Sequence, residues 1–117
     1  MNKTSDTTTG WSAVCSLDDI VPNTGICALV NERQVAVFRV QASEPTLYAI
    51  DNIDPNAGAG VLSRGLIGSL GDRIVVASPI FKHHFDLRSG ECLEAPEHSV
   101  RAHAVRIEDG RVHVALA

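Results

Sequence analysis

Ser78-Pro79-Ile80-Phe81-Lys82-His83-His84-Phe85-Asp86-Leu87-Arg88-Ser89-Gly90-Glu91-Cys92 is the stretch on which the reading of this chain turns. Its second half reads as a strand, His84 to Leu87, then a turn at Arg88-Ser89-Gly90, with Cys92 and Leu93 beginning the next strand. Its first half opens on Ser78-Pro79 and leads to two adjacent histidines. Successive side chains of a strand point to opposite faces, so His83 and His84 are poorly placed to chelate one ion together.

Upstream, Asp51 to Gly71 shows little periodicity, and Gly58, Gly60, Gly65, Gly68 and Gly71 punctuate it. It reads as a loop, long for a domain of this size, and long loops of this kind usually carry function. Regular patterning surrounds it. Arg73 to Ser78 reads as a strand. Ile26 to Val30 and Gln34 to Val40 are β-branched runs flanking Asn31-Glu32-Arg33, the pattern of a hairpin, and Thr46 to Ile50 is a further strand after a turn at Ser43-Glu44-Pro45. Trp11 to Cys15 alternates, and Ser16-Leu17-Asp18-Asp19 fits a capping box that opens one short helical turn, stopped by Pro22-Asn23-Thr24-Gly25. The end is a hairpin, His103 to Ile107 and Arg111 to Leu116 around Glu108-Asp109-Gly110. No helix-period segment of useful length occurs, so the expected fold is all-β with short strands.

The chain has 117 residues, a length for one domain, and 44% of them are hydrophobic. Ten basic side chains against 14 acidic ones give a net charge of −4. No Lys/Arg cluster stands out, which argues against a nucleic-acid or anionic-membrane surface. No apolar run approaches the roughly 20 residues of a membrane helix. Residues 1–10 are Thr-, Ser- and Asn-rich without an apolar core, so they read as a disordered tail rather than a signal peptide, with the domain at 11–117. Cys15, Cys27 and Cys92 are isolated and odd in number, the usage of a cytoplasmic chain with reduced thiols.

Four kinds of chemistry bear on the side chains of this sequence. The histidines His83, His84, His98, His103 and His113 lack the spacing of three or four converging ligands, although His103 and His113 lie near mirror positions of the last hairpin and could approach. No Gly-x-Ser-x-Gly elbow supports nucleophilic catalysis. Gly58-Ala59-Gly60 and Gly65-Leu66-Ile67-Gly68 lack the following helix and Lys-Ser/Thr of a phosphate loop. The fourth kind is the strongest, and it rests on two segments taken together.

Asp54 to Gly65, with Leu62-Ser63-Arg64-Gly65 at its end, and Ser78 to Cys92, with Ser78-Pro79, Phe85-Asp86 and Gly90-Glu91-Cys92, resemble the two cluster-binding boxes of Rieske domains. The first box carries one extra residue before Leu62. The framework residues match and the ligand positions do not. The resemblance places the first Cys and His positions on Asp54 and Asn56, and the second pair on Ser78 and Phe81. A Rieske [2Fe–2S] centre needs two thiolates on one iron and two imidazoles on the other, a set these residues do not supply.

From Trp11 to Leu116 the chain further resembles the small subunits of assimilatory NAD(P)H nitrite reductases, through Leu17-Asp18-Asp19-Ile20, Thr24-Gly25, Val35-Ala36-Val37-Phe38-Arg39 and Asn52-Ile53-Asp54-Pro55. That resemblance implies a Rieske-like fold, with antiparallel base sheets and a smaller lobe spanning about residues 52–92. It implies a cytoplasmic protein of nitrate assimilation whose partner is a large catalytic subunit. That subunit would carry siroheme, an iron–sulfur cluster and FAD and reduce nitrite to ammonium. On this chain it implies no cofactor, no metal and no catalytic residue. The rival expectations are a working Rieske-type electron-transfer ferredoxin and a free-standing β binding module. Two further expectations follow. Phe81, Ile80 and Leu62, with Ile53, should close the lobe by apolar packing. Arg64, Lys82 and His83 are the candidate partner-binding residues at its tip.

Overall fold

The computed structural model describes residues 5–6, 10–41 and 45–117. Its strands are β1 (Ser5–Asp6), β2 (Trp11–Ser16), β3 (Thr24–Val30), β4 (Arg33–Gln41), β5 (Pro45–Asp51), β6 (Ile53–Asp54), β7 (Ala59–Gly60), β8 (Leu66–Leu70), β9 (Arg73–Ala77), β10 (His84–Asp86), β11 (Ala102–Glu108) and β12 (Arg111–Ala115). Single 3₁₀ turns at Leu17–Asp19, Leu62–Arg64 and Pro96–His98 are the helical elements among the described residues. No helix there is long and apolar enough to cross a membrane.

Seven strands form one antiparallel sheet in the order β1-β2-β12-β11-β5-β4-β3, while β10-β9-β8 and the pair β6-β7 build the lobe. The turns explain the hairpins. Asn31 and Glu32 have φ of 48° and 68°, and Asp109 and Gly110 have 54° and 75°, the two positive values that a two-residue turn needs to match the twist of its strands. The turn at Leu17–Asp19 is held where the sequence indicates, with the Ser16 amide donating to Asp19 Oδ2 at 3.0 Å.

β4 is the central fact of the packing. Val35 and Val37 face one core with Ile20, Ala28, Val30, Ala49, Val112 and Val114. Ala36 and Phe38 face a second core with Ile50, Leu62, Val76, Phe85, Leu87 and Cys92. The first core lies inside the curl of the large sheet, since it draws on both β3 and β12. The second joins that sheet to the lobe. Period-two alternation thus sends one face of a single strand into each core, and Ala49 and Ile50 of β5 divide in the same way.

Some expectations change. Leu66–Leu70 is a strand within the segment read as loop, paired with β9 across Gly71 and Asp72. Cys92 makes an isolated bridge to Phe85 and does not begin a strand. Ser5–Asp6, inside the expected tail, pairs with β2, and the remaining residues before Gly10 lie outside the described ones, as do Ser43 and Glu44 of the expected turn. The approach of His103 to His113 does not occur. His113 pairs with Arg106, an odd number of residues from His103, so the two imidazoles lie on opposite faces.

Candidate functional site

The two boxes form two loops that leave the large sheet side by side. The first is anchored by Asn52, which is buried. Its Oδ1 accepts the Ser63 amide at 2.8 Å, and its Nδ2 donates to Gln34 Oε1 on β4 at 2.9 Å. Its main chain is paired at both ends, the amide donating to Gln34 O and the carbonyl accepting from Leu62 N. Leu62 sits fully in the second core. Gly65 is required by space, since a Cβ there would stand 2.3 Å from the Ala77 carbonyl oxygen.

The second loop has its own lock. Asp86 Oδ1 accepts the amides of Arg88 and Ser89 at 2.7 and 3.1 Å, and Arg73 Nη1 lies 3.6 Å from Asp86 Oδ2 and 2.8 Å from Glu91 Oε1. Gly90 closes the turn at φ 82°, where a Cβ would collide with the Val100 carbonyl at 2.1 Å. Phe85 and Cys92 are buried in the second core. The framework residues read from the sequence are therefore those that pack or turn the two loops.

The residues standing at the ligand positions serve differently. Asp54 and Ser78 are both fully buried and bond to each other, Ser78 Oγ donating to Asp54 Oδ2 at 2.5 Å. Asp54 Oδ1 accepts the Asn56 amide at 2.8 Å and Asn56 Nδ2 at 3.2 Å. Asn56 Oδ1 in turn pairs with His98 Nδ1 at 2.5 Å. A buried carboxylate is costly unless hydrogen bonds replace its water, and these three donors do so. The result is a polar clasp from the first loop to the second and on to the turn Pro96–His98. It does not fit a [2Fe–2S] centre: the donors are a carboxylate, an amide and a hydroxyl already committed to one another, with neither thiolates nor imidazoles in the required pairs.

Phe81 corrects the expectation of an apolar plug. It is 55% exposed, and Ile80 and Ile53 are each 46% exposed. Of the four expected closing residues, Leu62 alone is buried. The loop 78–83 closes on itself, with the Lys82 amide donating to Ser78 O at 3.0 Å and the Ser78 amide to His83 O at 2.9 Å. This closure leaves the side chains between them outside. The Phe81 ring tilts against His83, with centroids 6.4 Å apart.

The candidate partner-binding residues fall together in part. Arg64 and Lys82 are exposed and line one hollow of about 210 Å³ with Leu66 and Pro79. His83 is partly buried beside Phe81, and its Nδ1 is enclosed without a hydrogen-bond partner among the described residues. His84 turns the other way. Its ring pairs with Glu94 at 2.5 Å and its amide donates to Glu94 Oε1 at 2.7 Å. Burial raises the Glu94 pKa, but these bonds from His84 outweigh it and hold the carboxyl below its ordinary value. His103 is fixed between Asp51 Oδ1, 2.8 Å away, and the Ala117 amide, 3.0 Å away. Among the described residues no three His, Cys, Asp or Glu side chains converge as metal ligands. Sequence reasoning missed Asn52, Gln34 and His98 as loop anchors. His98 lies 42 residues from its partner Asn56, a separation that leaves no local signal.

Comparisons with known proteins agree with this fold. Residues 10–115 match the family described as Rieske-like [2Fe-2S] domain. The nitrite reductase (NADH) small subunit of Escherichia coli strain K12 is 44% identical over 104 residues, which cover 89% of this chain and 95% of that one. The solution structure of the nitrite reductase [NAD(P)H] small subunit from Erwinia carotovora superposes with a TM-score of 0.79 at 47% identity, over 93% of this chain and 83% of that one. A Klebsiella oxytoca protein named nitrite reductase [NAD(P)H] large subunit is 43% identical over 104 residues, 89% of this chain and 11% of its own length.

Proposed function

The chain belongs to the Rieske-like family of NADH nitrite reductase small subunits, and from that membership we propose that it acts as a non-catalytic subunit, binding and stabilising a large subunit that reduces nitrite to ammonium. The observation that carries the reading is the Asp54–Ser78 bond with its continuation through Asn56. Three of the four side chains where cluster ligands would stand, Asp54, Asn56 and Ser78, are spent on holding two loops together and the fourth, Phe81, is exposed, so what the lobe offers is a shaped surface. The Klebsiella oxytoca match supports a partnership, because a segment like this chain occupies 11% of a protein named as a large subunit. Siroheme, an iron–sulfur cluster and FAD belong, in this reading, to the large subunit, and both subunits work in the cytoplasm.

Two measurements test it. A tagged copy of this chain should co-purify with the large subunit of the same nitrite reductase, and failure to do so counts against the partnership. The isolated chain, after anaerobic reconstitution with iron and sulfide, should return no stoichiometric iron and no visible charge-transfer absorption. Two irons with sulfide per chain would identify an electron carrier instead.

A further inference from the structure

Exposed apolar side chains are ordinary when scattered, and a group of them marks an interaction site. The lobe tip has such a group. Leu66 is 80% exposed, Phe81 55% and Ile80 46%. Leu66 pairs with Ala77 across β8 and β9, and Pro79, Ile80 and Phe81 follow within four residues of Ala77, so the group comes from two adjoining segments. Arg64 and Lys82 line a hollow with Leu66 and Pro79, and Ile80 and Phe81 follow Pro79 just outside it. Neither Arg64 nor Lys82 has an ion pair or side-chain hydrogen bond among the described residues, a state shared with Arg88 and Arg111, whereas Arg33, Arg73 and Arg106 are paired with carboxylates. Two unpaired cations beside bare apolar groups, on a chain of net charge −4, form a local reversal of sign.

We infer that this tip is the docking surface for the large subunit, and that it receives a segment presenting an apolar side chain beside one or two carboxylates. The inference rests on the partnership proposed above and adds the place and chemistry of contact. The hollow of about 210 Å³ is smaller than the usual small-molecule pocket, so it suits a side-chain knob better than a ligand. Its frame is set before binding. Lys82 is held at φ 62°, the loop 78–83 is closed by two main-chain bonds, and Ser78 at the base is fixed to Asp54. A surface already ordered loses little entropy on association.

Calorimetry against the large subunit, at low and raised salt, tests the inference with variants whose side chains lie outside the cores. Leu66→Ser/Phe81→Ser should weaken binding about tenfold or more, as for buried interface anchors. Arg64→Glu/Lys82→Glu should weaken it about as much and remove its salt dependence. Leu29→Ser, changing a residue 70% exposed on β3, should bind as the parent does. Circular dichroism and melting check the fold of each. If the parent binds and both tip variants bind equally well, the inference is overturned. If the parent does not bind at all, the proposed partnership itself fails. If the parent self-associates in sedimentation and the tip variants abolish only that, the occupant is a second copy of this chain, and the inference is again overturned.

Discussion

The large sheet and the lobe tip are held by different physics, although one strand serves both. In the sheet, cohesion is apolar and ladder-like, with Val35, Val37, Val112 and Val114 buried at 0% exposure between paired strands. At the tip, beyond the apolar anchors Leu62 and Phe85, the remaining apolar residues are outside and polar residues are buried. Asp54, Ser78 and Asn52 make the contacts that keep the two loops in place. A sheet can tolerate small losses spread over many contacts. A clasp made of a few directional bonds depends on each of them, because every removed partner leaves another buried group unsatisfied.

The largest expected effect probes the junction of the two regions. Phe38→Ala empties the centre of the second core and should cost about 3–5 kcal/mol in denaturant unfolding. A cost below about 1 kcal/mol would mean that the lobe does not rely on the sheet for its packing. Next come the clasp residues. Ser78→Ala strips Asp54 of a charge-assisted hydrogen bond and should cost about 1.5–3 kcal/mol. Its added hydrogen exchange should be confined to residues 52–65 and 78–92, and faster exchange throughout the sheet would erase the distinction between the regions. A smaller effect is expected of Phe81→Ala, under about 0.5 kcal/mol, as for surface substitutions generally. A large drop in melting temperature would restore the plug that its 55% exposure argues against. The smallest effect concerns Glu94. Its folded pKa is lowered, so its pairing with His84 stabilises above the ordinary carboxylate pKa and is lost as pH falls through the folded value. Glu94→Gln should therefore melt slightly below the parent near neutrality and level with it in acid. A gap that widens in acid would contradict the assignment.

Much of the sheet was legible because its turns and alternation are local signals. Asn31-Glu32 and Asp109-Gly110 sit between runs of clear period two, and both became tight hairpins. β8 was not legible, because Leu66, Gly68, Ser69 and Leu70 are all exposed and no buried face imposes an alternation to read. At the site, the framework was legible as motif, and the structure gives the physical reason for each part, such as the closed space at Gly65 and the left-handed turn at Gly90. The clasp was not legible. Asp54 and Ser78 are 24 residues apart, and only the folded chain brings them together. The exposure of Phe81 was not legible for a related reason. Bulk and apolarity suggested burial, but the bond from Lys82 back to Ser78 folds the loop so that the ring is left outside.

A strand that feeds two cores also sets a rule about chain length. One residue added to or removed from the Asn31-Glu32 turn would slide β4 by one position and exchange its faces. Val35 and Val37 would then be offered to the space that holds Phe38, and the Phe38 ring to the space shaped by valines and alanines. Insertions and deletions should therefore be excluded between Thr24 and Gln41. At the Gly71-Asp72 turn, where the strand before it has little buried face to misalign, they should be accepted.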